Sequence, residues 1–298
     1  MPRTAQSPNK GDIPAPPIEA FQDAEIIIKD PDYKPDITLA ILTHYDCRQE
    51  YHYHRIPVVD LCVRTMLDGA AGHDCELLIF DNGSTADFRK HLKTYEADTL
   101  ILSPNLGKQS AQVKMLEYAR GDVFCFTDDD IYFYPGWLDK HLEILDTYPD
   151  RPMLVSGSPQ RTAFTWGMKS NLRWINRNIN LLTVGNLISE ESERQYARSI
   201  GKAEVAHMLR IIGLNDYLVT FRGVKAWAHA HHMQFIARRK YLEGKLPESH
   251  YLVDNAREWD MLMDHRGFMR FTTYERTVLH IGNELQGDVT YFPRKAEA

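Results

Sequence analysis

The chain has 298 residues, 43% hydrophobic, 26% charged and 11% aromatic, close to the average for folded globular proteins. That length supplies ample core, and the composition excludes a disulfide-stapled mini-protein, a disordered or collagenous chain and a coiled coil. Lys and Arg number 35 against 41 Asp and Glu, and the net charge of -6 leaves no global positive field to hold nucleic acid or an anionic bilayer. Residues 1–24 carry Pro2, Pro8, Pro14, Pro16 and Pro17, which exclude regular helix or central strand and predict an N-terminal extension, either loose or an arm packed on the surface. From Asp36 a rhythm begins. TLAILTH (38–44) reads as a strand, and Val59, Cys62, Val63, Met66 and Leu67 then fall at helical spacing. ELLIFD (76–81), a polar helical stretch near 86–96, TLILS (99–103), a helix from Gly107 to Arg120 and DVFCFTD (122–128) follow.

Four strands alternating with three helices predict an α/β fold with a mostly parallel central sheet flanked by helices, which binds ligands beyond the carboxyl ends of its strands. The loops at those ends read THYDCR, DNGST, SPNLGK and TDDDIY. The second half is less regular. Helices are expected at 137–147 and 190–211, with apolar runs at 153–157 and 217–221 and then HHMQFIARRKYL (231–242). No repeat or linker separates the halves, so 25–150 and 151–298 are expected to form one compact unit.

Asp128, Asp129 and Asp130 directly follow an apolar strand, where ionised carboxylates need partners. Such oxygens suit Mg2+ or Mn2+ beside phosphates, and a solvated, helix-capping turn is the alternative. Asn82-Gly83 is turn chemistry, while Asp81 at the same strand end could accept hydrogen bonds from a base or ribose. Gly107 and Lys108 open a helix beside the same edge. Cys47, Cys62, Cys75 and Cys125 show no CxxC pair or zinc spacing and read as reduced core thiols, which suits the cytoplasm. The N-terminus lacks a signal-like apolar core, and no run of 18 apolar residues occurs, so no transmembrane segment is expected.

The succession LAILTHYD, a helix, LLIFDNGST and SPNLGKQSAQVKMLEYARGDVFCFTDDDIYFYPGWL resembles the nucleotide-sugar-binding half of the family-2 glycosyltransferases with the GT-A fold, over about 36–145. The resemblance implies a GT-A-like, Rossmann-type single domain, with 25–150 binding the nucleotide sugar and 151–298 the acceptor. It implies that Thr43, His44, Tyr45 and Asp46 line the base pocket and that Asp81 binds the base. Asn105, Gly107 and Lys108 then sit near the nucleotide. Asp128, Asp129 and Asp130 take the place of the DxD acids, with Asp130 favoured for the metal, Asp128 for ribose or sugar, and Asp129 competing. HHMQFIARRKYL resembles the strand and turn beside the donor sugar, although Arg238-Arg239-Lys240 alone also reads as a solvated basic face. AREWDMLMDHRGFMRFTTYERTVLHIGN (256–283) is similar to the family's acidic helix and late His. Arg257-Glu258 stands where the family usually has Glu-Asp, which leaves the base between Glu258 and Asp260; His280 would share the ion with Asp130.

A carboxylate base fits the chemistry, because an acceptor hydroxyl loses its proton as it attacks the anomeric carbon. The expectation is a metal-dependent transfer, with Mn2+ or Mg2+, from a nucleotide-diphosphate sugar to a glycan, lipid-linked or small-molecule hydroxyl, with inversion. Retention and a catalytically silent nucleotide-sugar-binding scaffold are the alternatives. Peripheral membrane contact is compatible with this reading. Nucleotidyl transfer lacks its glycine loop in THYDCR, and neither GxG nor GxxxxGK[ST] occurs. His229, His231 and His232 lack a Cys or acidic partner at zinc-ligand spacing. Trp166, Trp174, Trp227 and Trp259 could stack on sugars or pack in the core.

Overall fold

The computed structural model describes residues 18–46, 55–246 and 256–282. The first half runs β1 (Glu25–Ile28), β2 (Ile37–Thr43), α1 (Arg55–Gly69), β3 (Cys75–Asn82), α2 (Ala86–Leu92), β4 (Thr99–Ser103), α3 (Lys108–Tyr118), β5 (Val123–Asp128), β6 (Ile131–Phe133) and α4 (Trp137–Thr147). The second half continues with β7 (Met153–Ser156), α5 (Lys169–Ile175), β8 (Leu182–Gly185), α6 (Glu190–Ser199), α7 (Glu204–Ile211), β9 (Asp216–Phe221), β10 (Val224–Trp227), β11 (Gln234–Arg238), α8 (Arg239–Leu242), α9 (Ala256–His265), β12 (Met269–Thr273) and β13 (Val278–His280).

Eleven strands form one sheet in the order β1-β4-β3-β2-β5-β11-β7-β12-β10-β9-β8. The expected parallel block is β4-β3-β2-β5. β1 caps its edge antiparallel, and β11 runs antiparallel between β5 and β7, so the two halves share a single sheet. β2 is buried along its whole length because both faces are covered, which is why its sequence is apolar throughout rather than alternating. Leu39 and Ile41 pack with Val59, Cys62 and Met66 of α1, while Ala40 and Leu42 pack with Ala111 and Met115 of α3. Cys62 and Cys125 are buried free thiols and Cys75 is half-buried; Cys47 lies outside the described residues. No helix among the described residues is long and apolar enough to cross a membrane.

Two expectations need correction. The helix expected over 190–211 is two helices, because Gly201, at φ +65°, closes α6 with bonds from its own N–H to Arg198 O and from Lys202 N–H to Ala197 O. The basic trio does not reach the ligand edge: Arg238 pairs across the sheet with Val123, at the opposite end of β5, and bonds Asp146 at 2.6 Å, while Lys240 bonds Asp150 at 2.9 Å. At the end of the N-terminal extension Phe21 stacks on Phe80 with ring centroids 6.3 Å apart, as an arm packed on the surface would; residues 1–17 lie outside the described residues. Trp174 and Trp259 are core residues, against Phe271 and Phe235 respectively.

Candidate active site

A cleft of about 390 Å³ opens at the carboxyl ends of the parallel strands. Thr43, His44, Asn105, Gly107, Lys108, Asp128, Asp129 and Asp130 border it, together with Leu42, Arg55 and Asn82. Its two middle loops are clasped: Asn82 Nδ2 donates to Asn105 Oδ1 at 3.3 Å, and Leu106 N–H donates to Asn82 Oδ1 at 2.7 Å. The clasp requires Gly83, at φ +84°, because a Cβ there would stand 2.7 Å from Asn105 N. Gly107 caps α3 and aims the helix's N-terminal turn into the cleft, a position suited to anions. His44 is held through Nδ1 by Asn82 O at 2.9 Å. Asp81 is fully buried, accepting from Ser84 N–H and, at 2.7 Å, from Arg89 Nε. It braces its own loop. Burial pushes its carboxyl up, and Ser84 and Arg89 oppose that shift. Tyr45 stacks on Phe88, centroids 4.9 Å apart, and Asp46 follows it half-buried.

The three consecutive acids take different partners. Asp128 pairs with Lys108 at 2.5 Å, and Asp129 with Arg55, which also reaches Asp130 at 3.4 Å. Burial raises Asp129 to about 6 despite Arg55. Burial also works against ionisation of Asp130, yet His280, Arg55 and Lys108 together hold it below the usual carboxylate range. Arg55 was not among the residues singled out from sequence. It sits in the first turn of α1, just before Pro57, and nothing local distinguishes it from a surface arginine.

His280 reaches the acids through a ladder. β13 pairs antiparallel with β6, setting His280 opposite Ile131, and Ile281 N–H donates to Asp130 O at 2.8 Å. His280 Nδ1 lies 3.2 Å from Ser199 O and donates to it, which leaves Nε2 directed at Asp130 Oδ2, 3.3 Å away. Burial opposes a charge on this imidazole, but Asp130 and Asp128 raise its pKa. Asp130 Oδ1 and Asp129 Oδ2 are buried without a hydrogen-bond partner. A carboxylate with an orphaned oxygen, beside an imidazole oriented by a backbone carbonyl, fits a divalent cation of the Mn2+ type. No group of three protein ligands assembles among the described residues, so a cation here would draw the rest of its shell from substrate or water.

The helix α9 separates the two candidate bases. Trp259, Asp260, Met263 and Asp264 are buried on one face, while Glu258, Met261 and His265 are exposed on the other. Asp260 is 2.7 Å from Arg270 Nη2 and 3.0 Å from His232 Nδ1. Burial pushes its pKa up to about 6, with Arg270, His231 and Lys108 holding it back. The fully buried Arg270 also donates to Trp166 O at 2.6 Å and to Ala230 O, tying α9 to the segment before β11. His232 and its neighbour His231, whose rings lie 4.5 Å apart, are thereby set beside Trp166.

Residues 51–189 match the model of glycosyl transferase family 2. The match covers a little under half of the chain. The matched stretch contains Asp81, Asn105, Gly107, Lys108 and the three acids, whereas Thr43–Asp46 precede it and Glu258, Asp260 and His280 follow it. The observed architecture, one large central sheet with a parallel block flanked by helices, agrees with the expected α/β class. Among solved structures, the chain is similar to the mannosyltransferase PcManGT from Pyrobaculum calidifontis in complex with GDP-Man and Mn2+, at 15% identity over 87% of this chain and 61% of that one, with a TM-score of 0.46. It is also similar to TarS of S. aureus, at 10% identity over 82% of this chain and 36% of that one, again with a TM-score of 0.46. The chain thus spans about three fifths of the first of these and about a third of the second. No curated protein matches the chain.

Proposed function

We propose that this protein is a metal-dependent, inverting glycosyltransferase that moves a sugar from a nucleoside-diphosphate sugar to a hydroxyl on a glycan, lipid-linked or small-molecule acceptor. One observation carries the reading: a cleft of about 390 Å³ at the α3 N-terminus in which the orphaned Asp130 oxygen stands beside the oriented His280. Asp130 and His280 would hold Mn2+ or Mg2+, and the bound ion would neutralise charge on the departing nucleoside diphosphate. Lys108, Arg55 and the first N–H groups of α3 meet the donor's phosphates with positive charge. To do so Lys108 exchanges its contact with Asp128 for one with phosphate. The loops bearing Thr43, His44 and Asn82 border the side of the cleft assigned to base and ribose. Inversion is a single displacement and needs one base.

The test is thermal stability against UDP, GDP, dTDP and CDP sugars with Mn2+, Mg2+ or EDTA, followed by calorimetric titration of the best donor. A metal-dependent rise with one nucleotide class is expected, equivalent to about 2.7 kcal/mol at 100 times Kd. Asp130→Ala should lose the metal-dependent part of that affinity. Unchanged affinity in this variant would exclude Asp130 as a ligand, and the lack of a shift with every donor would leave the silent scaffold as the better account.

A further inference from the structure

Resting on the transferase reading above, we propose that His232 is the base that accepts the acceptor's proton, and that Asp260 is a positioning residue behind it. A general base must come within about 2.6–3.2 Å of the group it deprotonates. Asp260 is fully buried, with Oδ1 facing Arg270 at 2.7 Å and Oδ2 facing His232 Nδ1 at 3.0 Å. Both oxygens are turned into protein, so an acceptor hydroxyl does not reach them. Glu258 precedes Asp260 by two positions, about 200° around a helix, and is exposed with Met261 and His265. It faces away from the side of α9 that meets the sheet.

His232 satisfies the conditions that the two carboxylates do not. Its side chain retains 15% of its exposure, and no described residue bonds its Nε2. The Asp260 contact fixes the proton on Nδ1 and leaves the Nε2 lone pair free to accept, the arrangement by which a carboxylate orients a catalytic imidazole. The main chain sets its position. Asp128 N–H donates to Met233 O at 2.9 Å, so the residue before Met233 stands at the end of the β5–β11 ladder, against the acidic loop. Trp166 forms a wall beside it, with ring centroids 6.4 Å apart, and Arg270 locks the wall and Asp260 together.

The charged groups around the imidazole are Asp260 on α9, Arg270 on β12, Lys108 on α3 and His280 on β13, with His231 adjacent. Burial, with Lys108, Arg270 and His280, keeps the His232 ring neutral, the form that can take a proton. In the step itself, the acceptor O–H proton passes to His232 Nε2 while the oxygen bonds to the anomeric carbon. The bond from that carbon to the diphosphate oxygen breaks, and the nucleoside diphosphate departs with the electron pair. Asp260 stabilises the resulting imidazolium across Nδ1–H, and solvent later removes the proton.

The measurement uses the full chain, Mn2+ and the nucleoside-diphosphate sugar giving the largest stabilisation, with slow transfer to water read as nucleoside diphosphate release, so no acceptor need be known. His232→Gln should bind this donor within about twofold of wild type by calorimetry and release product about 10²–10⁴-fold more slowly. It should also lose the acid limb of the kcat profile, which a merely structural residue would leave in place. Asp260→Asn, which keeps the shape of the buried side chain, should retain donor affinity, lower kcat and displace that limb. Full turnover in His232→Gln, or an unmoved acid limb, overturns the assignment, whatever Glu258→Gln does. If the wild type binds no donor, the transferase reading falls and the base assignment with it.

Discussion

Arg55 enters the cleft from the first turn of α1 and divides its guanidinium between Asp129 and Asp130. Removing it leaves buried carboxylates uncompensated, so Arg55→Ala should cost about 3–5 kcal/mol, measured by urea unfolding. A loss within about 0.5 kcal/mol would mean that the pair does not hold the floor of the cleft. A second buried group sets a pH dependence. His141, bonded to Trp137 O at 2.6 Å, is depressed by burial from 6.5 to about 4. The unfolded chain takes up this proton near pH 6.5 and the folded protein only near pH 4, so between these values stability falls on acidification. His141→Gln should flatten that slope by about one proton, removing a penalty of about 3 kcal/mol by pH 4; unfolding titrations at pH 7 and pH 4.5 compare the two. At this scale the sequence announced residues by adjacency: three acids at a strand end, Lys108 after Gly107. It could not announce Arg55 or His232, because their significance lies in partners that are distant along the chain.

The two clasped loops carry the argument from residue to element. Gly83→Ala would press a Cβ onto Asn105 while also straining a backbone at φ +84°, whereas Gly72, at φ +97°, has open space around it. Both substitutions should lower stability by about 1–3 kcal/mol through the backbone alone. Only Gly83→Ala should also weaken donor binding, measured by calorimetry; equal affinities in the two variants would show that the clasp does not shape the cleft. The strands and helices of 36–145 were legible because apolar runs and helical spacing are local signals, and β4 and α4 fall where the periodicity places them. β6 and β13 were not legible. Each has three residues, and their pairing depends on a contact between segments far apart in sequence. β1 has the burial of a solvent-exposed edge, so its EIII sequence shows no alternation.

At the scale of the molecule, β11 inserts between β5 and β7 and makes the two halves of the chain one sheet. The prediction is a single calorimetric unfolding transition that moves as a whole when donor and Mn2+ bind. Two separable transitions, only one of them ligand-sensitive, would show independent halves. The alternating βα pattern gave the class of fold, and the family-2 match over 51–189 agrees with it. The mixed arrangement of the second half, with β12 parallel to β7 and antiparallel to β10, was not readable from strands of four to six residues whose neighbours are set by tertiary packing. The β6–β13 ladder has one more consequence. Asp130 and His280 stand half the chain's length apart in sequence, so during synthesis the sheet edge, the acids and their arginine all emerge long before the histidine does. A nascent chain can order the parallel block β4-β3-β2-β5 while the acidic cluster still lacks its imidazole, which arrives only with the late strand that bears His280.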